Sequence, residues 1–97
     1  TEYVLLDEPL NNLDVARSVQ MMEHLRRAAK EFGRTILAVL HDINFAARYS
    51  DRICAMKAVA IAAFGTVGEV MDAKVLSEIF ETRIDIIDGS HGPLAVY

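Results

Sequence analysis

Tyr3-Val4-Leu5-Leu6-Asp7-Glu8-Pro9 is the stretch that decides how this 97-residue chain is read. A short apolar run ends abruptly in two adjacent carboxylates and a proline. The run has the length and composition of a buried strand. Two acids at its tip are costly to hold near a core unless they face a cation, a cleft or water. In open α/β sheets, ligands bind in the crevice beyond the carboxyl ends of the strands. The stretch therefore marks a site even more than it marks a fold.

The same design recurs downstream. Thr35-Ile36-Leu37-Ala38-Val39-Leu40 is a second uninterrupted run, and it ends in His41-Asp42. Between the two runs lies a helical pattern of about five turns. Val15, Val19, Met22, Leu25, Ala29 and Phe32 share one face, while Arg17, Gln20, Glu23, Arg27 and Lys30 lie largely opposite. Asp14 is a suitable N-cap, and Gly33 stands where a helix C-terminus favours a left-handed residue. Strand, crossover helix and strand make a βαβ unit, whose crossover is right-handed in nearly all cases. If the strands are parallel, Asp7-Glu8 and His41 emerge on the same edge of one sheet.

Composition narrows the function classes. The net charge is −4, and no basic run offers a footprint for nucleic acid. The hydrophobic fraction of 53% is somewhat above that of an average soluble domain, yet no segment reaches the length of a membrane span. A single cysteine, Cys54, excludes an internal disulfide, fits a cytosolic compartment and reads as a small buried hydrophobe. The chain has no initiating methionine or signal sequence and opens almost directly on a strand, so it reads as the C-terminal part of a longer protein.

Residues 43–50 read as a short helix, residues 51–56 as a third strand and residues 58–64 as a fourth. Gly65-Thr66-Val67-Gly68 breaks the pattern before a helix-rich stretch from Glu69 to Thr82. Residues 84–87 and 94–97 close the chain as two strands around a turn at 88–93. One discord stands out. The link at Lys57-Ala58-Val59-Ala60 must be a hairpin turn, yet it offers no Gly, Asn or Pro.

At this point the residues match a family. The 3–9 stretch resembles the Walker B strand of ABC-type ATPases; Asn11-Asn12-Leu13-Asp14 lies where their D-loop lies, and Leu40-His41-Asp42 resembles their switch-histidine segment. The wording of residues 7–14 and 39–53, with FGTVGEVM, VLSEIFE and GPLAVY further on, is most similar to the subfamily that powers bacterial uptake of ferric siderophores and related iron chelates. The resemblance covers essentially the whole chain and departs from the family at Ala58-Val59-Ala60. It implies an α/β fold, a partial P-loop NTPase domain in which residues 1–97 are the C-terminal portion of one ABC ATPase domain. It also implies roles. Asp7 holds Mg²⁺, in part through water; Glu8 activates the water that attacks the γ-phosphate of ATP. His41 contacts that phosphate, and Asn11 to Asp14 face a second ATPase subunit in a head-to-tail dimer. The implied setting is cytoplasmic, at the inner face of the membrane, against transmembrane permease subunits.

No G-x-x-x-x-G-K-[S/T] loop occurs anywhere in the chain, and the family's signature loop and Q-loop glutamine are absent as well. The isolated chain is therefore expected to be inactive, because backbone N–H groups and the lysine of that loop hold the triphosphate. Simpler readings stand beside these. Asp7-Glu8 alone describes a solvated strand end, a lone histidine is most often structural, and Asp14 is accounted for by its cap. His24 and His91 read as surface or turn residues, and the four methionines as core or face fillers. Two rival functions differ in class: a metal-dependent phosphohydrolase built on Asp7, Glu8, His41 and Asp42, which needs further ligands, and a non-catalytic, self-associating interaction module with uncovered strand faces.

Overall fold

A computed structural model describes residues 2–97, which fall into two units divided between Phe45 and Ala46. The first is the expected βαβ unit. β1 (Tyr3–Asp7) pairs in parallel and in register with β2 (Thr35–Val39), from Tyr3 opposite Thr35 to Asp7 opposite Val39. α1 (Val15–Glu31) is the crossover and packs on β2. Asp14 caps its N-terminus by accepting from the Arg17 N–H at 2.8 Å. At the other end Gly33 takes φ +59°, and the Arg34 N–H reaches back to the Ala29 carbonyl at 3.2 Å. That bond, across a left-handed residue, is the Schellman closure that glycine permits.

The buried stripe of α1 is shorter than the periodicity implies. Met22 is buried and Val19, Leu25 and Ala29 half-buried, but Val15 and Phe32 at its ends are 74% and 66% exposed. Ser18 is buried in their place. The reason is reach: a five-residue sheet spans about 17 Å and a 17-residue helix about 25 Å, so the last turns overrun the strands. The Arg34 guanidinium covers the overhanging Phe32 ring at 5.5 Å. The sheet itself alternates strictly. Val4, Leu6, Ile36 and Ala38 are half-buried, whereas Tyr3, Leu5, Leu37 and Val39 are exposed on the other face.

α2 (Ile43–Tyr49) leads into the second unit, where β3 (Arg52–Lys57) and β4 (Ala60–Thr66) form an antiparallel hairpin. α3 (Val67–Val70) and α4 (Ala73–Phe80) pack on that hairpin. β5 (Asp85–Gly89) and β6 (Gly92–Val96) pair antiparallel across a two-residue turn at Ser90-His91. Among the described residues, Ala47, Ile53, Val70, Met71, Leu76, Ile84 and Ala95 are its buried apolar residues, with Leu76 fully enclosed. Cys54 is exposed on β3, contrary to the sequence reading, because Ile53 takes the inward position of the strand pleat. Met56 is likewise exposed, while Met22 and Met71 are buried.

Three boundaries differ from expectation. The helix-rich stretch is two helices. Gly65 and Thr66 end β4, Thr66 starts α3 through a reciprocal cap with Glu69, and Asp72 restarts the chain as α4 by accepting from the Lys74 and Val75 N–H groups. Gly65 makes the first cap possible, since a Cβ there would stand 3.0 Å from Glu69 Oε1. The closing strands reach further into the turn than expected, Pro93 being accommodated in the edge strand β6. β4 starts two residues late because Ala58 and Val59 are the turn itself.

That turn resolves the discord. Ala58 and Val59 take φ +51° and +58°, the left-handed pair that a two-residue type I′ hairpin demands. Both residues carry a Cβ, and Val59 is β-branched and 99% exposed, so the turn is strained without packing to compensate. Replacing Ala58-Val59 by Asn-Gly is therefore expected to raise the stability of the chain by about 1–2 kcal/mol in urea unfolding, without changing its circular dichroism. An unchanged or lower midpoint would contradict the strain.

The cap at α3 gives a second test. The Thr66 N–H and hydroxyl donate to Glu69 Oε1 at 3.0 and 2.9 Å and, together with the nearby Arg52 charge, hold the Glu69 carboxyl below its ordinary value of 4.5. A lowered folded-state value contributes stability that is fully present above pH 4.5 and is lost as pH falls through the folded value. NMR titration should find Glu69 below 4.5, and Thr66→Val should move it back toward 4.5.

Candidate functional site

Both strands of the parallel pair end at one edge, which puts their C-terminal residues beside each other. The Glu8 N–H donates to the Val39 carbonyl at 3.1 Å, extending the ladder one step beyond β1. The Glu8 carbonyl then accepts from the Asn11 N–H at 3.0 Å, and the Leu10 carbonyl from Leu13 at 3.1 Å. Glu8 is thus held on both sides of its own peptide. It adopts φ +52°, a left-handed conformation costing a non-glycine residue roughly 1–2 kcal/mol. The strained turn leads directly into Pro9.

From the other strand, His41 follows Val39 by two residues. Its Nε2 meets Glu8 Oε1, the contact that joins the two strand tips. The Glu8 side chain is 41% exposed and the His41 ring 79% exposed, so the pair opens to solvent on one side. A side-chain contact so exposed contributes little to stability. Its value lies in position: a carboxylate and an imidazole share one small volume at the strand ends.

Asp7 is the last residue of β1, exposed, opposite Val39. It lies on the strand face that also carries Leu5, and Glu8 follows it out of the strand. Asn11 and Asn12 are exposed in the turns between β1 and α1, Asn12 at φ +65°. Asp14 ends this loop as the cap of α1 and also pairs with the Arg17 guanidinium at 2.9 Å. The edge therefore gathers Asp7, Glu8 and His41, while Asn11 and Asp14 extend from it along the loop. Asp42 is a feature that the sequence reading did not develop. Its Oδ1 accepts from the Asn44 and Phe45 N–H groups at 2.9 and 3.1 Å, capping α2 one residue after His41. An Asp immediately before a helical pattern was the signal for it.

Among the described residues, no group of three or more His, Cys, Asp and Glu side chains is arranged to hold a metal ion. The oxygens of Asp7 and Glu8 suit a hard cation that keeps most of its water and binds through substrate oxygens, as Mg²⁺ does. They do not form the multi-ligand cage that a resident transition metal requires. No helix among the described residues is long and apolar enough to cross a membrane.

A parallel βαβ unit with acids and imidazole at its carboxyl edge, followed by small helices and hairpins, is the α/β architecture of part of an ABC-transporter ATPase. The structure is similar to that of a metal-chelate type ABC transporter in an inward-facing conformation, with a TM-score of 0.79 over 99% of this chain and 40% of that one, at 16% identity. In sequence the chain is 80% identical over its whole length to the petrobactin import ATP-binding protein FatE of Bacillus anthracis. It is 45% identical over its whole length to the petrobactin import ATP-binding protein YclP of Bacillus subtilis, and 42% identical over 90% of its length to that organism's iron(3+)-hydroxamate import ATP-binding protein FhuC. The resemblance to ATP-binding subunits of ABC importers for iron chelates is borne out. The chain spans 39%, 38% and 32% of the lengths of these three relatives. No protein-family model matches it.

Asp14 has a structural role that can be separated from any other. Asp14→Ala should cost about 1 kcal/mol through loss of the α1 cap, and Asp14→Asn a few tenths at most, because asparagine caps equally well. Equal losses in urea unfolding would show that the exposed pair with Arg17, rather than the cap, matters.

Proposed function

We propose that residues 1–97 are the C-terminal portion of one ABC ATPase domain, and that the parent protein hydrolyses ATP to drive uptake of an iron–siderophore complex. The observation that carries this reading is the meeting of Glu8 and His41 at the carboxyl edge of β1 and β2. The relatives' names supply the class of cargo. Phosphoryl transfer to water demands positioning and charge compensation more than covalent chemistry. Glu8 polarises or deprotonates the attacking water, and its carboxylate stands at the strand tip where such a water has solvent access. His41 donates through its imidazole to the γ-phosphate and keeps Glu8 oriented. Asp7 would hold Mg²⁺, in part through water, and the ion when bound would supply charge compensation for the phosphate oxygens.

Asn11 and Asp14 face the partner in a head-to-tail dimer of ATPase subunits, coupling the two nucleotide sites. The assembly sits in the cytoplasm against the inner face of the membrane, docked on transmembrane permease subunits. A second reading is favoured by the uncovered side of the first sheet, where Tyr3 and Leu5 lie beside Leu37 and Val39. Such a face suits association, and the 97-residue chain alone, which carries no phosphate-binding loop, then acts as a non-catalytic, self-associating module. The metal-dependent phosphohydrolase has less support, since its donor set is incomplete.

In the full-length parent, Glu8→Gln should lower ATP turnover at least 100-fold and leave ATP binding within about threefold. The 97-residue chain assayed alone should show no Mg²⁺-dependent turnover above its own Glu8→Gln variant. Retained turnover in the altered parent would contradict the role of Glu8, and turnover by the short chain would contradict its dependence on the rest of the domain.

A further inference from the structure

The His41 ring is 79% exposed, so packing does little to hold it in place. Among the described residues its one side-chain hydrogen-bond partner is Glu8. What fixes His41 is its backbone. Val39 is anchored on one side, its carbonyl taking the Glu8 N–H. Asp42 is anchored on the other, its carboxylate taking the Asn44 and Phe45 N–H groups. Only Leu40 and His41 lie between these anchors, and Leu40 is half-buried. A two-residue link pinned at both ends has few conformations, and removing either pin frees the histidine.

We propose that Asp42 is a positioning residue: by capping α2 it sets the path of the link that presents His41 Nε2 to Glu8. The inference rests on the phosphoryl-transfer reading of that pair. Asp42 itself touches neither Glu8 nor His41 through its side chain, and its carboxylate is used by the backbone of α2. Its influence on the reaction therefore passes through the histidine. Misplacement of a reacting group by about 1 Å costs on the order of a hundredfold in rate, whereas nucleotide affinity, set mainly elsewhere, is spared.

The test uses the full-length parent and measures kcat, KM for ATP and thermal unfolding for Asp42→Ala, Asp42→Gly and Asp42→Asn. Asparagine keeps an acceptor oxygen at the cap; glycine removes it while preserving most of the helix stability. The expected result is a fall in kcat of at least tenfold for Asp42→Ala and Asp42→Gly, with KM within twofold, and kcat restored to within threefold by Asp42→Asn. If Asp42→Ala does not fold, Asp42→Gly decides. Glu8→Gln run in parallel separates the two claims. If Glu8→Gln abolishes turnover but Asp42→Gly retains kcat within threefold, the positioning role is overturned and the site reading stands. If Asp42→Asn fails to rescue, the cap is not what matters and the proposal is likewise overturned. If Glu8→Gln leaves turnover intact, the site reading falls first.

Discussion

The parallel in-register pairing of β1 with β2 is the constraint on which the rest depends. It brings two stretches distant in sequence to the same edge, so that the residues leaving each strand stand side by side. The ladder continues one step past β1, through the Glu8 N–H and the Val39 carbonyl, and this step aligns the carboxylate with the histidine. A slip of one residue in either strand would invert its faces and carry the acid away from the imidazole. Register therefore sets the chemistry as well as the fold.

The same pairing leaves an obligation. Parallel strands are ordinarily covered on both faces. Here α1 covers one, while Leu5, 70% exposed, and its neighbours on the other face meet solvent. Among the described residues the three sheets are all two-stranded, and such pairs are marginal in isolation. Local devices hold them. Asp14, Thr66 and Asp72 cap three helices through side-chain oxygens, and Lys57 donates to the Glu78 carbonyl at 3.1 Å, placing a cation at the end of α4. Ser77 Oγ accepts from the Ile84 N–H at 2.9 Å, tying α4 to the segment before β5.

The first unit was legible because its signals are long and mutually consistent. Two apolar runs, a 3.6-residue period between them, Asp14 before it and Gly33 after it all describe one βαβ unit. From that unit alone the common edge of Asp7, Glu8 and His41 followed. What escaped was governed by contacts rather than by pattern. Val15 and Phe32 obey the period but overhang the sheet. The break between α3 and α4 is made by Asp72, a strong cap inside a stretch that periodicity reads as continuous. The Ala58-Val59 turn has no local signature, because its left-handed pair is imposed by closure of β3 on β4 against the preference of both residues. Cys54 looks apolar in its neighbourhood, yet strand alternation points it outward. Asp42 carried its signal openly, one residue before a helix.

A structure of the full-length protein with ATP and Mg²⁺, with Glu8→Gln to prevent turnover, tests the central claim most directly. The account predicts the side chain at position 8 and His41 Nε2 each within about 3 Å of the γ-phosphate or of a single water aligned with it. A γ-phosphate bound with His41 turned away and position 8 beyond reach of any such water would contradict it.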